Sequence, residues 1–190
     1  MKTMLNTLHI TCPDVHLREH TEEDLFSLHS VLSDPTVMRF AAIEQSKSIE
    51  DTQYHLERMI SEAQNPDRQN FYLAAGLGKA NHIGIGGLSI TRKNQTGGIA
   101  EIGYYLKEKY WHRGYATQIA QGLINFGFKN LGIHKVVASC SVNNMASVKV
   151  LQKCNMKLES VVRADRYEGG AWVDSLSFSI LKDEWLDMHA

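Results

Sequence analysis

Cysteine and proline are scarce in this 190-residue chain, with three of each. Cys12, Cys140 and Cys154 form an odd, widely spaced set. That argues against a disulfide framework and for a reducing compartment. The opening residues MKTMLNTLHITCPD lack the apolar core of a secretion signal, so a cytoplasmic protein is expected. No apolar run approaches the ~20 residues of a membrane span. There is no basic block, and the formal net charge is -1. Binding driven by the phosphate backbone of a nucleic acid is therefore not expected. Nine histidines are present, but no His/Cys pair stands at zinc-site spacing, and His16 and His20 fall where a strand leads into a helix, so no metal is expected. No linker and no repeat interrupts the chain. Residues 1–190 are expected to form one domain with a sizeable core.

What is present alternates between two periods. Val15 to Glu19 reads as a strand, and Thr21 to Asp24 as a capping box that opens a helix near Glu22. Leu25, Leu28, Val31 and Leu32 form its apolar stripe, and Asp34-Pro35 stops it. Ser48 to Asp51 repeats the capping signal for a helix reaching about Ala63, whose sparse apolar positions predict a surface location. Phe71–Leu77 and His82–Thr91 read as strands joined by a Gly-Lys-Ala-Asn turn. The glycines at 84, 86 and 87 lie inside a β-type run and do not open a helix. They are a bulge or a close backbone approach, not a dinucleotide fingerprint. His134–Val142, Lys157–Val162 and Trp172–Leu181 are further strands, with a short helix after Asn144. A meander of three strands followed by a β-α-β crossover requires a mixed sheet.

The stretch from Ala100 to Asn130 organises the rest. Ile102, Tyr104 and Leu106 alternate with Glu101, Gly103 and Tyr105 as a strand. After a polar loop, Ile119, Leu123, Ile124 and Phe126 recur at helical spacing. Gly114 and Ala116 stand where that helix starts. The first amides there have no intrahelical partner, and small side chains let an anion such as a phosphate approach them.

The strand AEIGYYL, the turn WHRGYAT and the segment NNMAS-VKVLQKCNM together resemble the GNAT superfamily of acetyl-CoA-dependent N-acetyltransferases. The nearest branch includes the ribosomal-protein N-terminal acetyltransferases. The resemblance runs from LREHTEEDL to DSLSFSILKDEW. It implies an α/β (α+β) fold, with a mixed, mostly antiparallel sheet splayed at its central strand and flanked by helices. Coenzyme A would lie between the Ala100–Leu106 and His134–Val142 strands. In the family turn, Arg/Gln-x-x-Gly-x-Gly/Ala, this chain has Trp111 at the first position and Gly114 and Ala116 at the last two. The resemblance implies that the amides of His112, Arg113, Gly114, Tyr115, Ala116 and Thr117 hold the pyrophosphate. Arg113 or a neighbouring lysine would replace the missing charge at Trp111. Leu106 and Lys107 would pair with the pantetheine arm as a pseudo-strand. Asn144 and Ser147 match the family's Asn-x-x-Ser, and Lys153 its late basic residue. Asn144 also suits a helix N-cap.

The implied chemistry is direct attack of a neutral amine on the thioester in a ternary complex. It needs a proton route, donors to the thioester oxygen and a donor to the departing thiolate. Glu101 matches the strand glutamate that serves as base in some members. Alternatively it pairs with a cation across the sheet. Backbone amides near Leu106 are the expected oxygen donors. The tyrosine that many members use toward the thiolate is replaced by Leu151. Ser147 is then the substitute, or else a first-turn hydroxyl. Tyr167 and Trp172 line the acceptor site or only pack, and Cys140 reads as core. The branch implies a protein N-terminus as acceptor and, at family level, a homodimer. A small amine (amino acid, polyamine or aminoglycoside) is the alternative acceptor. A non-catalytic acyl-CoA-binding module is the alternative outside enzymes. A nucleotide-binding protein would need a Walker Lys-Ser/Thr pair, which is missing.

Overall fold

The structure, a computed structural model, describes residues 8–41, 43–78 and 81–189. Its strands are β1 (His9–Thr11), β2 (His16–Glu19), β3 (Asn70–Leu77), β4 (Asn81–Asn94), β5 (Gly97–Leu106), β6 (Lys135–Ser141), β7 (Lys157–Glu168) and β8 (Ala171–Leu181). The helices are α1 (Leu25–Leu32), α2 (Pro35–Met38), α3 (Ile49–Gln64), α4 (Tyr115–Asn130), α5 (Met145–Lys153) and α6 (Lys182–Asp187). The strands form one sheet in the order β1-β2-β3-β4-β5-β6-β8-β7. Every adjacent pair is antiparallel except β5 with β6. The mixed, mostly antiparallel sheet expected from the sequence is thus present. None of the described helices is long and apolar enough to cross a membrane.

The capping signals are realised. The Thr21 amide donates to Asp24 Oδ2 at 2.8 Å, and a 3-10 turn at Glu22–Asp24 leads into α1. At α3 the Asp51 amide donates to Ser48 Oγ at 3.2 Å, and the Ser48 amide donates back to Asp51 at 3.1 Å. Leu28, Val31 and Leu32 are buried as the stripe requires, whereas Leu25 is half-buried. Asp34-Pro35 does end α1, but Asp34 also caps the short helix α2, accepting from the Thr36 amide at 2.8 Å. The pattern did not foretell three elements. β1 is three residues long and α6 six, too short for a period to register, and α2 is a single turn. The hairpin strands also run longer than expected, β4 to Asn94 and β7 to Glu168. The central strand begins at Gly97, not Ala100. Lys79 and Ala80 of the first hairpin turn lie outside the described residues.

Two apolar clusters sandwich the sheet. On one face α4 and α5 pack on Leu17, Leu73, Leu88, Ile102 and Ile180. On the other, α1, α2 and α3 close over Ile85. The glycine run of β4 lets α4 approach the sheet. A Cβ at Gly86 would lie 2.8 Å from Ile119 Cγ2, and one at Gly84 would overlap the Tyr105 carbonyl oxygen. This is the close backbone approach read from the sequence, and it serves packing.

At the end of β2 a polar cluster is buried. Arg18 donates through both Nη atoms to the Asp24 carboxylate at 2.7 Å. Burial opposes the Asp24 charge, but the bonds from Arg18 and Thr21, with His20 Nδ1 3.7 Å away, outweigh it and hold its carboxyl well below the usual range. His82 is buried near His20, with ring centroids 6.0 Å apart. Its ring nitrogens have no hydrogen-bond partner among the described residues. Burial, reinforced by His20, Lys107 and Arg18, lowers its pKa to about 4, with Asp24 pulling the other way.

Two outcomes follow from this packing. Gly84→Ala should cost ~2–3 kcal/mol or more, because the carbonyl it meets is main chain and cannot swing aside; chemical denaturation measures this. The unfolded chain takes up the His82 proton near pH ~6.5, whereas the folded chain resists until about 4. Stability should therefore fall as the pH drops through that interval, with His82 contributing ~2 kcal/mol of loss by pH ~5. Urea midpoints at neutral and acid pH should show the loss, and His82→Leu should remove that share of it.

Candidate active site

β5 and β6 pair over three residues only, Ile99 with Lys135, Ala100 with Val136 and Glu101 with Val137. Beyond that point β6 stays with β8 as far as Ser141, and β5 stays with β4 as far as Leu106. The parting opens a cavity of about 900 Å³. Ile102, Tyr104 and Leu106 line one side, and Ala138 and Cys140 the other. The Lys107 amide donates to Ile83 O at 3.0 Å. The alternation of an antiparallel ladder then turns the amides and carbonyls of Leu106 and Tyr104 away from β4, toward the opening.

The backbone of Lys107 is not turned that way. Its amide is bonded to β4, and its carbonyl accepts from the Tyr110 amide at 2.9 Å. Its side chain donates to His82 O at 2.9 Å. The Leu106 carbonyl accepts from Trp111 Nε1 at 2.7 Å. Of the two residues of the expected pseudo-strand, Leu106 thus turns its amide to the opening, whereas the Lys107 amide and carbonyl are bonded within the protein. Trp111, the departure from the family turn, acts as a brace between the strand end and the turn.

After a 3-10 turn at Glu108–Tyr110, the chain reaches α4 through two left-handed residues, His112 at φ 59° and Gly114 at φ 82°. Gly114 is the N-cap and has no side chain to cap with. The amides of Tyr115, Ala116 and Thr117 are first-turn donors without intrahelical acceptors, and the first helical bond runs from the Gln118 amide to Gly114 O at 3.1 Å. Trp111, His112, Gly114, Tyr115, Ala116 and Thr117 all line the cavity, whereas Arg113 is exposed and does not.

Across the opening, Asn144 caps α5, accepting from the Ser147 amide at 3.1 Å. Lys153 is exposed at the far end of α5 and still lines the cavity. Ser147 meets a residue that sequence reasoning missed, since its Oγ lies 2.9 Å from the Tyr104 hydroxyl. Burial raises the Tyr104 pKa well above that of a free phenol, and the Ser147 bond only partly offsets this. The phenol therefore keeps its proton at neutral pH. Leu151 is 1% exposed and packs in the core, so the hydroxyl that meets Ser147 comes from β5 and not from position 151. No signal in the sequence joins two hydroxyls on a strand and a helix 43 residues apart. Cys140 is buried at the cavity wall as a core residue, and that burial raises its thiol pKa.

Glu101 is exposed at the point where the strands part, and Ser139 Oγ donates to its Oε1 at 3.1 Å. Ser139 in turn accepts from Arg166 Nη2 at 3.1 Å. Glu101 is thus joined to a cation across the sheet, but through a hydroxyl. Gly87 and Gly103, paired across β4 and β5, floor this part of the cavity. Tyr167 and Trp172 pack edge to face on each other at 5.5 Å and lie outside the cavity. Among the described residues no cluster of three His, Cys, Asp or Glu could hold a metal ion.

The family model described as an acetyltransferase (GNAT) domain matches residues 14–157, well over half of the chain. The chain belongs to the GNAT acetyltransferase family. A relative, the uncharacterized N-acetyltransferase YnaD of Bacillus subtilis (strain 168), is 33% identical over 85 residues, 45% of this chain and 50% of the relative. The matched part therefore spans about half of that protein. Among solved structures, RimL, a ribosomal L7/L12 alpha-N-protein acetyltransferase in complex with coenzyme A, superposes with a TM-score of 0.81 at 23% identity, over 93% of this chain and 99% of that one. The spermidine N-acetyltransferase of Vibrio cholerae, in complex with CoA and spermine, gives 0.79 at 18%, over 91% and 98%. At such identities the likeness establishes the GNAT fold. The two neighbours act on different amines, so likeness alone does not choose this chain's acceptor. The family's cosubstrate is acetyl-CoA, and the splayed strands, the left-handed turn and the bare helix start are parts that would receive it.

The cap at Asn144 gives a check on this geometry. Asn144→Ala should lower stability by ~1 kcal/mol through the lost cap. Calorimetric titration with coenzyme A should show in addition whether the same side chain contributes to binding.

Proposed function

We propose that this chain transfers the acetyl group of acetyl-CoA to the α-amine of a protein or peptide N-terminus, by direct attack in a ternary complex. The observation that carries this reading is the placement of two proton-handling groups on one cavity. Glu101 stands where the strands part, and the Ser147–Tyr104 hydroxyl pair stands across the opening. The amides of Tyr115, Ala116 and Thr117 hold the pyrophosphate, helped by the positive end of the α4 dipole. Lys153 and His112 lie near enough on the wall to add charge or hydrogen bonds. Asn144 serves as a cap and, through its amide, as a pantetheine contact.

Acetyl-CoA supplies the activated thioester, and the chain's own residues handle the protons. Glu101 accepts the proton that the amine gives up, and the Leu106 amide donates to the thioester oxygen. A phenol is the stronger donor and an alkyl hydroxyl the better acceptor, so the Tyr104 proton points at Ser147 Oγ. That leaves the Ser147 proton free to turn toward the departing sulfur. Tyr104 is then a positioning residue acting through Ser147.

This assignment has a definite kinetic signature. Ser147→Ala and Tyr104→Phe should each lower kcat about tenfold or more, and the double variant should be no worse than Ser147→Ala alone. Glu101→Gln should lower the rate most below the amine's pKa of ~8, where a proton has to be removed. Thiol release against pH, with peptide acceptors, reads all of these. Additive losses from Tyr104 and Ser147, or an unaltered pH profile for Glu101→Gln, would overturn the roles.

A further inference from the structure

The cavity is lopsided in charge. Glu101 is the one carboxylate that lines it among the described residues, against Arg39, Lys149, Lys153 and Arg166. Lys149 and Lys153 stand on α5, beside the path assigned to coenzyme A. Arg39 and Arg166 stand elsewhere, where the chain after α2 meets β7. Arg166 Nη1 donates to Phe40 O at 3.4 Å, joining segments 126 residues apart. The Arg39 guanidinium lies over the Phe40 ring, 5.0 Å from its centroid.

Arg166 is tied to Glu101 without neutralising it. A guanidinium has no acceptor and a carboxylate no donor. The chain of bonds can therefore run only one way, from Arg166 Nη2 to Ser139 Oγ (3.1 Å) and from Ser139 to Glu101 Oε1 (3.1 Å). The two charges make none of the ion pairs found among the described residues. Arg166 Nε is buried and has no hydrogen-bond partner among the described residues. A buried charged donor left unpaired is costly. The partner that fits a guanidinium best is a carboxylate, which it holds at two points. Anion and cation are thus kept one serine apart on the acceptor side of the cavity.

We propose that Arg166, assisted by Arg39, binds a carboxylate of the acceptor while Glu101 faces its amine. The substrate class is an amine with a carboxylate a few bonds away. A peptide N-terminus with Asp or Glu in its first two residues has that chemistry, and so does a free acidic amino acid. A polyamine has the opposite chemistry, since its second and third cations would face Arg39 and Arg166. The proposal rests on the reading of Glu101 as the amine-side group.

The test is steady-state thiol release with matched acceptors. These are peptides that differ only by Asp or Asn in the first two positions, free glutamate beside its diamide, which has no carboxylate, and spermidine. The wild type should favour the acidic member of each pair by about tenfold or more in kcat/KM, mainly through KM. Arg166→Gln should bring that ratio close to one, and Arg166→Lys, which keeps the charge but loses the fork, should leave it between. Thermal midpoints of both variants show that the fold is retained. Turnover of glutamate without any peptide keeps the carboxylate site and overturns the N-terminus reading. Equal rates for Asp and Asn peptides keep the N-terminus reading and overturn the carboxylate site. A ratio unchanged in Arg166→Gln, a preference for spermidine, or no turnover of any acidic acceptor also overturns the carboxylate site.

Discussion

β5 and β6 hold each other for three residues and then separate, and the functional architecture depends on that separation. Main-chain donors and acceptors in the middle of a sheet are normally consumed by the neighbouring strand. Here β6 turns away with β8, and the alternate backbone groups of β5 face a cavity. Such an opening would be an unpaired edge inside the protein, which natural folds blunt or cover. It is covered here by side chains. The Trp111 indole takes the Leu106 carbonyl, and the Tyr104 phenol reaches across to Ser147 on α5. The groups left facing inward can then meet a ligand that is itself rich in amides.

The two ends of the opening differ in the groups they present. Toward α4 the wall consists of helix-start amides in a left-handed turn, which suits phosphates. Toward α2 and β7 it carries the Glu101 carboxylate and the Arg166 guanidinium, linked through Ser139, with Arg166 also on Phe40 O and the Arg39 guanidinium over the Phe40 ring. The glycines that thin β4 divide between the two faces. Gly84 and Gly86 admit close packing, whereas Gly87, with Gly103 of β5, leaves open floor.

Tyr104 shows how a hydroxyl can reach a cavity wall from an unexpected element. On the late helix the hydroxyl expected of the family is replaced by Leu151, which is absorbed into the core. A phenol from the central strand reaches Ser147 from the other wall. Residue types at motif positions record what a helix lost. They do not record what a neighbouring strand brings in.

What was legible in the sequence was local. The alternation in AEIGYYL, the capping boxes at Thr21 and Ser48, and the small residues of the WHRGYAT turn reflect contacts within a few residues. They were enough for the sheet class, the order of the main elements and the helix start that lines the cavity. Short elements such as β1 and α6 stayed hidden because three to six residues are too few to show a period. The pairs that make the site chemical join distant segments: Tyr104 with Ser147, Glu101 with Ser139 and Arg166, and Arg166 with Phe40 O. Only the twist and parting of the strands bring those side chains together, because hydrogen bonds act over about 3 Å and spacing along the chain sets no distance between a strand, a helix and a hairpin.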